Sequence, residues 1–393
     1  MANVTSLRPG APAPSHAPAG DLREIVRQFT PNWFTVTMGT GILAIALNQF
    51  PVEIPGLHAV ARAFWLLNIV LFIVISGFYL TRWVMFFDGA KRIFQHSVVS
   101  MFFGAIPMGL ATIINGFIAF GLPMWGDTAL SIAHVLWWLD VAMALACGLL
   151  IPFLMFTRQD HSLEKMTAVW LLPIVAAEVA AASGALLVPH LGAAEAYGVQ
   201  IISYALWAYS VPLAMSVLVI LLLRLVLHKL PMRDMAASSW LALGPIGTGA
   251  LGLLLLGGNA PAIFTAQGLP AVGEVGLGLG IIGGTILWGY GAWWLMLAVL
   301  KTVRYLREGM PFNIGWWGFT FPLGVYAVAT LTLARMTHFS FFAAVGGVLV
   351  VCLAILWVII MSRTLHGAWR GYLFVSPCLV TGISPVERQA DVV

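Results

Sequence analysis

Charge is the scarcest property of this chain. Only 9% of its 393 residues are charged, and no polar, mixed segment longer than about 30 residues separates the apolar runs, so a soluble catalytic domain is excluded. Cysteine is almost as rare. Cys147 and Cys352 lie in apolar runs and Cys378 near the C-terminus, which gives neither a disulfide framework nor a metal spacing. The chain has no Gly-Lys dipeptide; a phosphate loop of the GxxxxGK type is therefore absent, and direct ATP drive by this chain is not expected. Histidine forms no metal set either: His134 alone falls inside an apolar run, while His96, His161, His228, His338 and His366 fall at run ends. No metal and no cofactor are expected. The net charge of +4 would suggest nucleic acid in a soluble protein, but here it is an orientation signal and no nucleic-acid partner is expected.

Apolar length is what the chain has in excess. Hydrophobic residues make up 61%, and runs long enough to cross a bilayer recur throughout, which defines an all-α, multi-span membrane protein. Residues 1–20, rich in Ala and Pro, read as a disordered tail and not as a signal peptide. In 21–31, Leu22, Ile25, Val26 and Phe29 share one helical face, which suits a short helix lying on the membrane surface. A membrane domain over 32–362 then holds ten spans, at 32–50, 61–81, 98–120, 128–156, 166–188, 199–227, 239–257, 275–300, 314–334 and 340–362, followed by a C-terminal tail at 363–393. With the N-terminus in the cytoplasm, all but Arg62 and Arg335 of the 19 Lys and Arg lie on the cytoplasmic side. The positive-inside rule thus places both termini in the cytoplasm, as an even number of spans requires.

Alternate spans share a design. PFNIGWWGFTFPLGVYAVAT carries Pro322, and Pro107 in GAIPMGLAT, Pro173 in LLPIVAAEV and Pro245 in LGPIGTGAL stand in similar surroundings of Gly and Ala. A proline inside a span removes a backbone donor and bends the helix, a defect tolerated in lipid where protein or a wet cavity covers it. In the first span Gly39, in VTMGTGILA, stands where the others have proline. On five bent, slender helices separated by five others, small residues serve packing by default and, as the alternative, leave an open lumen. Thr40, Thr112, Glu178, Thr248 and Thr320 are its candidate lining, with Thr37 and Asn115 as further neutral donors; such groups replace part of an anion's hydration without trapping it. Glu178 admits two readings, a carboxyl bonded to a neighbouring helix or a group facing the pathway. Asp140, beside Trp137 and Trp138, is expected to form a structural hydrogen bond. The glycines, including the GxxxG spacing of Gly280 and Gly284, are expected mainly to pack helices. From pattern alone Phe321 is an ordinary core or lipid-facing side chain.

The segments FTPNWFTVTMGTGIL, HSVVSMFFGAIPMGLATIIN, MTAVWLLPIVAAEVAAASG, SVPLAM with HKLP, and FNIGWWGFTFPLGVYAVAT resemble the tellurite-resistance and dicarboxylate transporter family, which includes plant slow anion channels, malic-acid permeases and fungal sulfite efflux pumps. PMGLATIIN, NIGWWGFTFPLG and the closing GYLFVSPCL are most similar to the sulfite pumps. The resemblance implies ten helices in five hairpins with quasi-fivefold symmetry about a central pore, three protomers associating, and a phenylalanine of the ninth helix, here Phe321, blocking the passage. It implies a plasma-membrane (inner-membrane) anion channel or exporter, not an enzyme, for a small inorganic or organic anion. Sulfite is favoured, and a C4-dicarboxylate carrier or a tellurite-resistance-type channel is the alternative. An intramembrane haem or quinone enzyme around His134 and Asp140 is disfavoured, since that histidine has no partner in another span.

Overall fold

The computed structural model describes residues 21–380, and among them every regular element is helical. The expected tail at 1–20 and the end of the chain beyond 380 lie outside the described residues. Helix α1 (Leu22–Gln28) starts at Asp21, whose carboxylate accepts from the Arg23 and Glu24 amides at 3.0 and 3.4 Å and so satisfies donors that a helix start leaves open. Ten longer helices follow as five consecutive pairs. They are α2 (Phe34–Asn48) with α3 (Leu57–Met85), α4 (Ala105–Gly116) with α5 (Asp127–Thr157), α6 (Leu172–Leu187) with α7 (Ala193–His228), α8 (Leu243–Ala266) with α9 (Pro270–Arg307), and α10 (Thr320–Thr337) with α11 (Ser340–Trp369).

Each pair packs on itself, and the first members also pack on one another in the order α2, α4, α6, α8, α10 and back to α2. They form an inner ring, with the second members outside it. Burial follows the same division. The most apolar windows of the segments containing α4, α6, α8 and α10 are 67% to 94% buried, against 17% to 39% for the outer helices, and α2 is buried without interruption from Phe34 to Ala46. A helix apolar all round has to be covered by other helices or by lipid, and here the inner set takes the protein.

Among the described residues, nine helical segments are long and apolar enough to cross a membrane, where ten were expected. The exception is α2, whose 15 residues reach about 22 Å. The 3-10 turn Pro31–Trp33 ahead of it adds about 6 Å, close to the ~30 Å of bilayer hydrocarbon. The outer helices overrun their expected ends: α9 covers Pro270–Arg307 where 275–300 was expected, and α11 continues past 362 to Trp369. Hydropathy marks where lipid stops, whereas a helix continues into water while its backbone bonds hold. Nor does the chain hang free after α11. Phe374 stacks on Trp33 with centroids 5.0 Å apart, and the Ser376 amide donates to Gln28 Oε1 at 2.7 Å.

The four prolines occupy a different place from the one their sequence context suggests. Each inner helix begins with a 3-10 segment: Pro31–Trp33, Val99–Gly104, Ala168–Leu171, Arg233–Trp240 and Ile314–Phe319. Pro107, Pro173, Pro245 and Pro322 lie in the first α-helical turn after it, where a missing donor costs least. They therefore mark the change of helix type near one end, and do not break a helix at its middle. The carbonyl of Phe103, one turn before Pro107, accepts from Cys147 Sγ at 3.5 Å instead. Gly39 serves neither purpose, since a methyl group there would overlap Thr320 Oγ1 and the Trp317 ring, so it permits the close approach of α2 and α10. Gly280 and Gly284 pack against α8, as the GxxxG spacing suggests.

One tryptophan from each outer helix ties the two layers together. Trp65 donates its indole N–H to the Ile113 carbonyl (3.2 Å), Trp137 to that of Ala180 (2.9 Å) and Trp207 to that of Gly249 (2.8 Å), while Trp288 donates to Thr330 Oγ1 (2.9 Å) and Trp357 to Thr40 Oγ1 (3.1 Å). Every bond runs from an outer helix to the inner helix of the next pair, with α11 closing the circle on α2. A buried indole needs an acceptor, and in each of these five places a neighbouring inner helix supplies it.

Candidate functional site

Two cavities lie within the inner ring. The larger, about 480 Å³, is at the N-terminal ends of the inner helices, where all five 3-10 segments or their flanks contribute: Asn32 and Thr35, Val98 and Phe102, Val169, Asp234 and Ser238, and Asn313, Ile314 and Trp317. The C-terminal segment adds Tyr372, Leu373 and Val375. The smaller is about 80 Å³, room for a few waters. Its lining comes as one stripe from each inner helix: Ile42 and Ile45; Thr112 and Asn115; Val179, Ala182 and Leu186; Thr248, Leu251 and Leu255; and Phe321, Val325, Val328, Thr332 and Arg335. Spacings of three and four residues put each set on a single helical face. Five such faces converge on one space.

Phe321 lines both cavities and is 4% exposed. Among the described residues, no other one lines both cavities. The aromatic ring, one residue before Pro322, therefore stands between two open spaces.

The expected lining residues divide. Thr112 and Thr248 face the smaller cavity. Thr40 and Thr320 do not: Thr40 Oγ1 donates to the Val36 carbonyl at 2.8 Å and accepts from Trp357, and Thr320 Oγ1 donates to the Trp317 carbonyl at 2.7 Å against Gly39. Both hydroxyls meet local backbone carbonyls, and their side chains pack between helices. Glu178 also turns from the ring's centre. Its Oε2 accepts from Ser210 Oγ of α7 at 3.2 Å, and among the described residues its Oε1 has no partner. Asp140, expected in a structural hydrogen bond, is fully buried, and among the described residues neither carboxylate oxygen has a partner. Gln49, Thr332 and the apolar stripe residues were not singled out from sequence. Their three- and four-residue spacing was the available signal, hidden because the inner helices are apolar on every face.

Charge is sparse in both spaces. Among the described residues, Asp234 is the only charged one lining the larger and Arg335 the only one lining the smaller. The larger cavity receives the N-terminal ends of all five inner helices, whose unpaired amides and dipoles favour negative charge. Close to its rim, His96 Nδ1 accepts from the amides of Val98 and Val99 at 3.2 Å each, and burial lowers its pKa below the ordinary histidine value. The neutral ring that this bonding requires is thus the favoured form.

A closed helical ring around two sparsely charged cavities separated by one aromatic side chain defines a membrane-embedded transport protein. The chain belongs to the voltage-dependent anion channel family, whose pattern matches residues 28–365. It is 39% identical over 352 residues to a sulfite efflux pump of Trichophyton rubrum, covering 89% of this chain and 93% of that one. An uncharacterized transporter of Methanocaldococcus jannaschii is 30% identical, covering 89% and 96%. A malic acid transport protein of Schizosaccharomyces pombe is 24% identical, covering 95% and 84%.

Proposed function

We propose that this protein passes a small oxyanion, sulfite by preference, out of the cell through the centre of its inner ring, with Phe321 as the barrier. The position of Phe321 between the two cavities carries this reading. The N-terminal ends of the inner helices face the cytoplasm, because nearly all Lys and Arg are retained on that side. An anion enters the larger cavity, attracted by converging helix dipoles, and meets neutral hydroxyl and amide groups beyond the ring of Phe321. The membrane potential supplies about 2.3 kcal/mol per charge per 100 mV, and roughly twice that for a dianion, so outward movement requires no ATP. Pro107, Pro173, Pro245 and Pro322 set the change of helix type that opens the larger cavity. Ten spans with quasi-fivefold symmetry, assembly as a homotrimer and residence in the plasma (inner) membrane complete the proposal.

Sulfite is favoured over malate because the relatives of higher identity are named for sulfite efflux. The smaller cavity also offers a single cation where a dicarboxylate would call for two. The test is flux through purified protein in proteoliposomes across sulfite, nitrate, chloride and malate. Sulfite is expected to move fastest. Malate flux exceeding that of sulfite would establish the C4-dicarboxylate alternative, and flux of every small anion but sulfite a tellurite-resistance-type channel.

A further inference from the structure

The inner helices share one direction, so the end that gathers their C-termini presents partial negative charge to any anion leaving the ring. Arg335 stands there, lining the smaller cavity, and among the described residues no carboxylate lies within ion-pair distance of it. Its Nη2 donates to Gln49 Oε1 at 2.7 Å and to Thr332 Oγ1 at 2.9 Å. Thr332 is itself fixed, donating to the Val328 carbonyl at 2.9 Å. Among the described residues the other donors of the guanidinium have no protein acceptor. Arg82 and Arg224 are used differently: both are buried and spend their donors mainly on backbone carbonyls, those of Phe29 and Gly89 for the first and Glu164 and Lys229 for the second. Those two hold loops together, whereas Arg335 is anchored on one nitrogen and open on the rest.

We infer that Arg335, oriented by Gln49 and Thr332, is an anion-coordinating subsite on the far side of Phe321. It takes a compact oxyanion through the planar, two-pronged geometry that guanidinium offers. It offsets the helix C-termini at the point where the anion is released. Being a fixed charge, it favours a doubly charged anion over a singly charged one. This assignment rests on the transport reading above, and it can be tested apart from it.

Two readouts separate the cases. The first is flux into proteoliposomes with sulfite or nitrate presented to the Arg335 face. Arg335→Gln is expected to raise the half-saturating sulfite concentration about tenfold, the loss expected for a charge-assisted hydrogen bond, and to reduce the preference for sulfite over nitrate. Gln49→Glu, which neutralises the guanidinium without removing it, should do the same, while Arg335→Lys retains most of the preference. The second readout is the rise in melting temperature that sulfite gives the detergent-solubilised protein. It should be present in the wild type and lost in Arg335→Gln and Gln49→Glu. Loss of the shift in a protein that moves no anion would uphold the subsite and end the transport reading. Wild-type half-saturation, preference and melting shift in both variants would overturn the subsite and leave Arg335 as a tie between α2 and α10. Should Arg335→Gln fail to fold, Gln49→Glu alone decides between these results.

Discussion

The inner and outer helices are built from the same apolar alphabet, yet they solve different problems. Outer helices meet one neighbouring layer and otherwise face lipid: Phe156 is 81% exposed and Val84 84%. Inner helices are covered over most of their surface and must also leave space at the centre. They do this with small residues where backbones approach and with one stripe each toward the cavity. A methyl group at Gly104 would overlap the Leu172 carbonyl, whereas one at Gly278 on α9 meets nothing within 4 Å. Equal hydrophobicity thus conceals unequal tolerance, and substitutions should reveal it.

The largest difference is expected at the centre. Phe321→Ala should raise anion conductance by about tenfold or more, equivalent to removing over 1.4 kcal/mol of barrier, while Phe156→Ala leaves it unchanged. Single-channel or liposome-flux recordings check both, and an unaltered Phe321→Ala protein of normal size and expression would remove that side chain as the barrier. Next come the glycines. Gly104→Ala should cost roughly 1–3 kcal/mol through overpacking against backbone, read as a lowered melting temperature. Trp137→Phe tests the ties between layers, and losing its bond to the Ala180 carbonyl should cost about 1 kcal/mol with conductance retained. Gly278→Ala should instead stabilise by about 0.5–1 kcal/mol, since a helical position gains a better former and no neighbour is touched. The smallest effect is expected at Glu178, which is bonded to Ser210 on an outer helix and turned from the cavity. Glu178→Gln should leave the pH profile of flux as it was, and an abolished pH dependence would bring that carboxyl back into the mechanism.

Much of this is legible in the sequence alone. Length and hydropathy marked the helices, and the recurrence of proline with small residues singled out the inner members, because each of those helices changes from 3-10 to α at a covered end where a missing donor is tolerated. The five tryptophans that join the layers recur at similar intervals, but their shared role is not legible in sequence, since an indole gives no sign of its acceptor until two helices are adjacent. The hydroxyls show the same limit. Thr112 and Thr248 reach the cavity while Thr40 and Thr320 do not, although all four sit in comparable sequence, because the rotation of a uniformly apolar helix is not written in its hydrophobic pattern.

Composition alone established a multi-span helical protein, and the distribution of Lys and Arg indicates its orientation, because lipid imposes hydrogen-bond and charge rules that act on each segment separately. Which faces converge, where Phe321 stands between two cavities, and why Arg335 is left with open donors depended on how ten helices pack together. Those are properties of contacts between segments distant in the chain, and no single segment contains them.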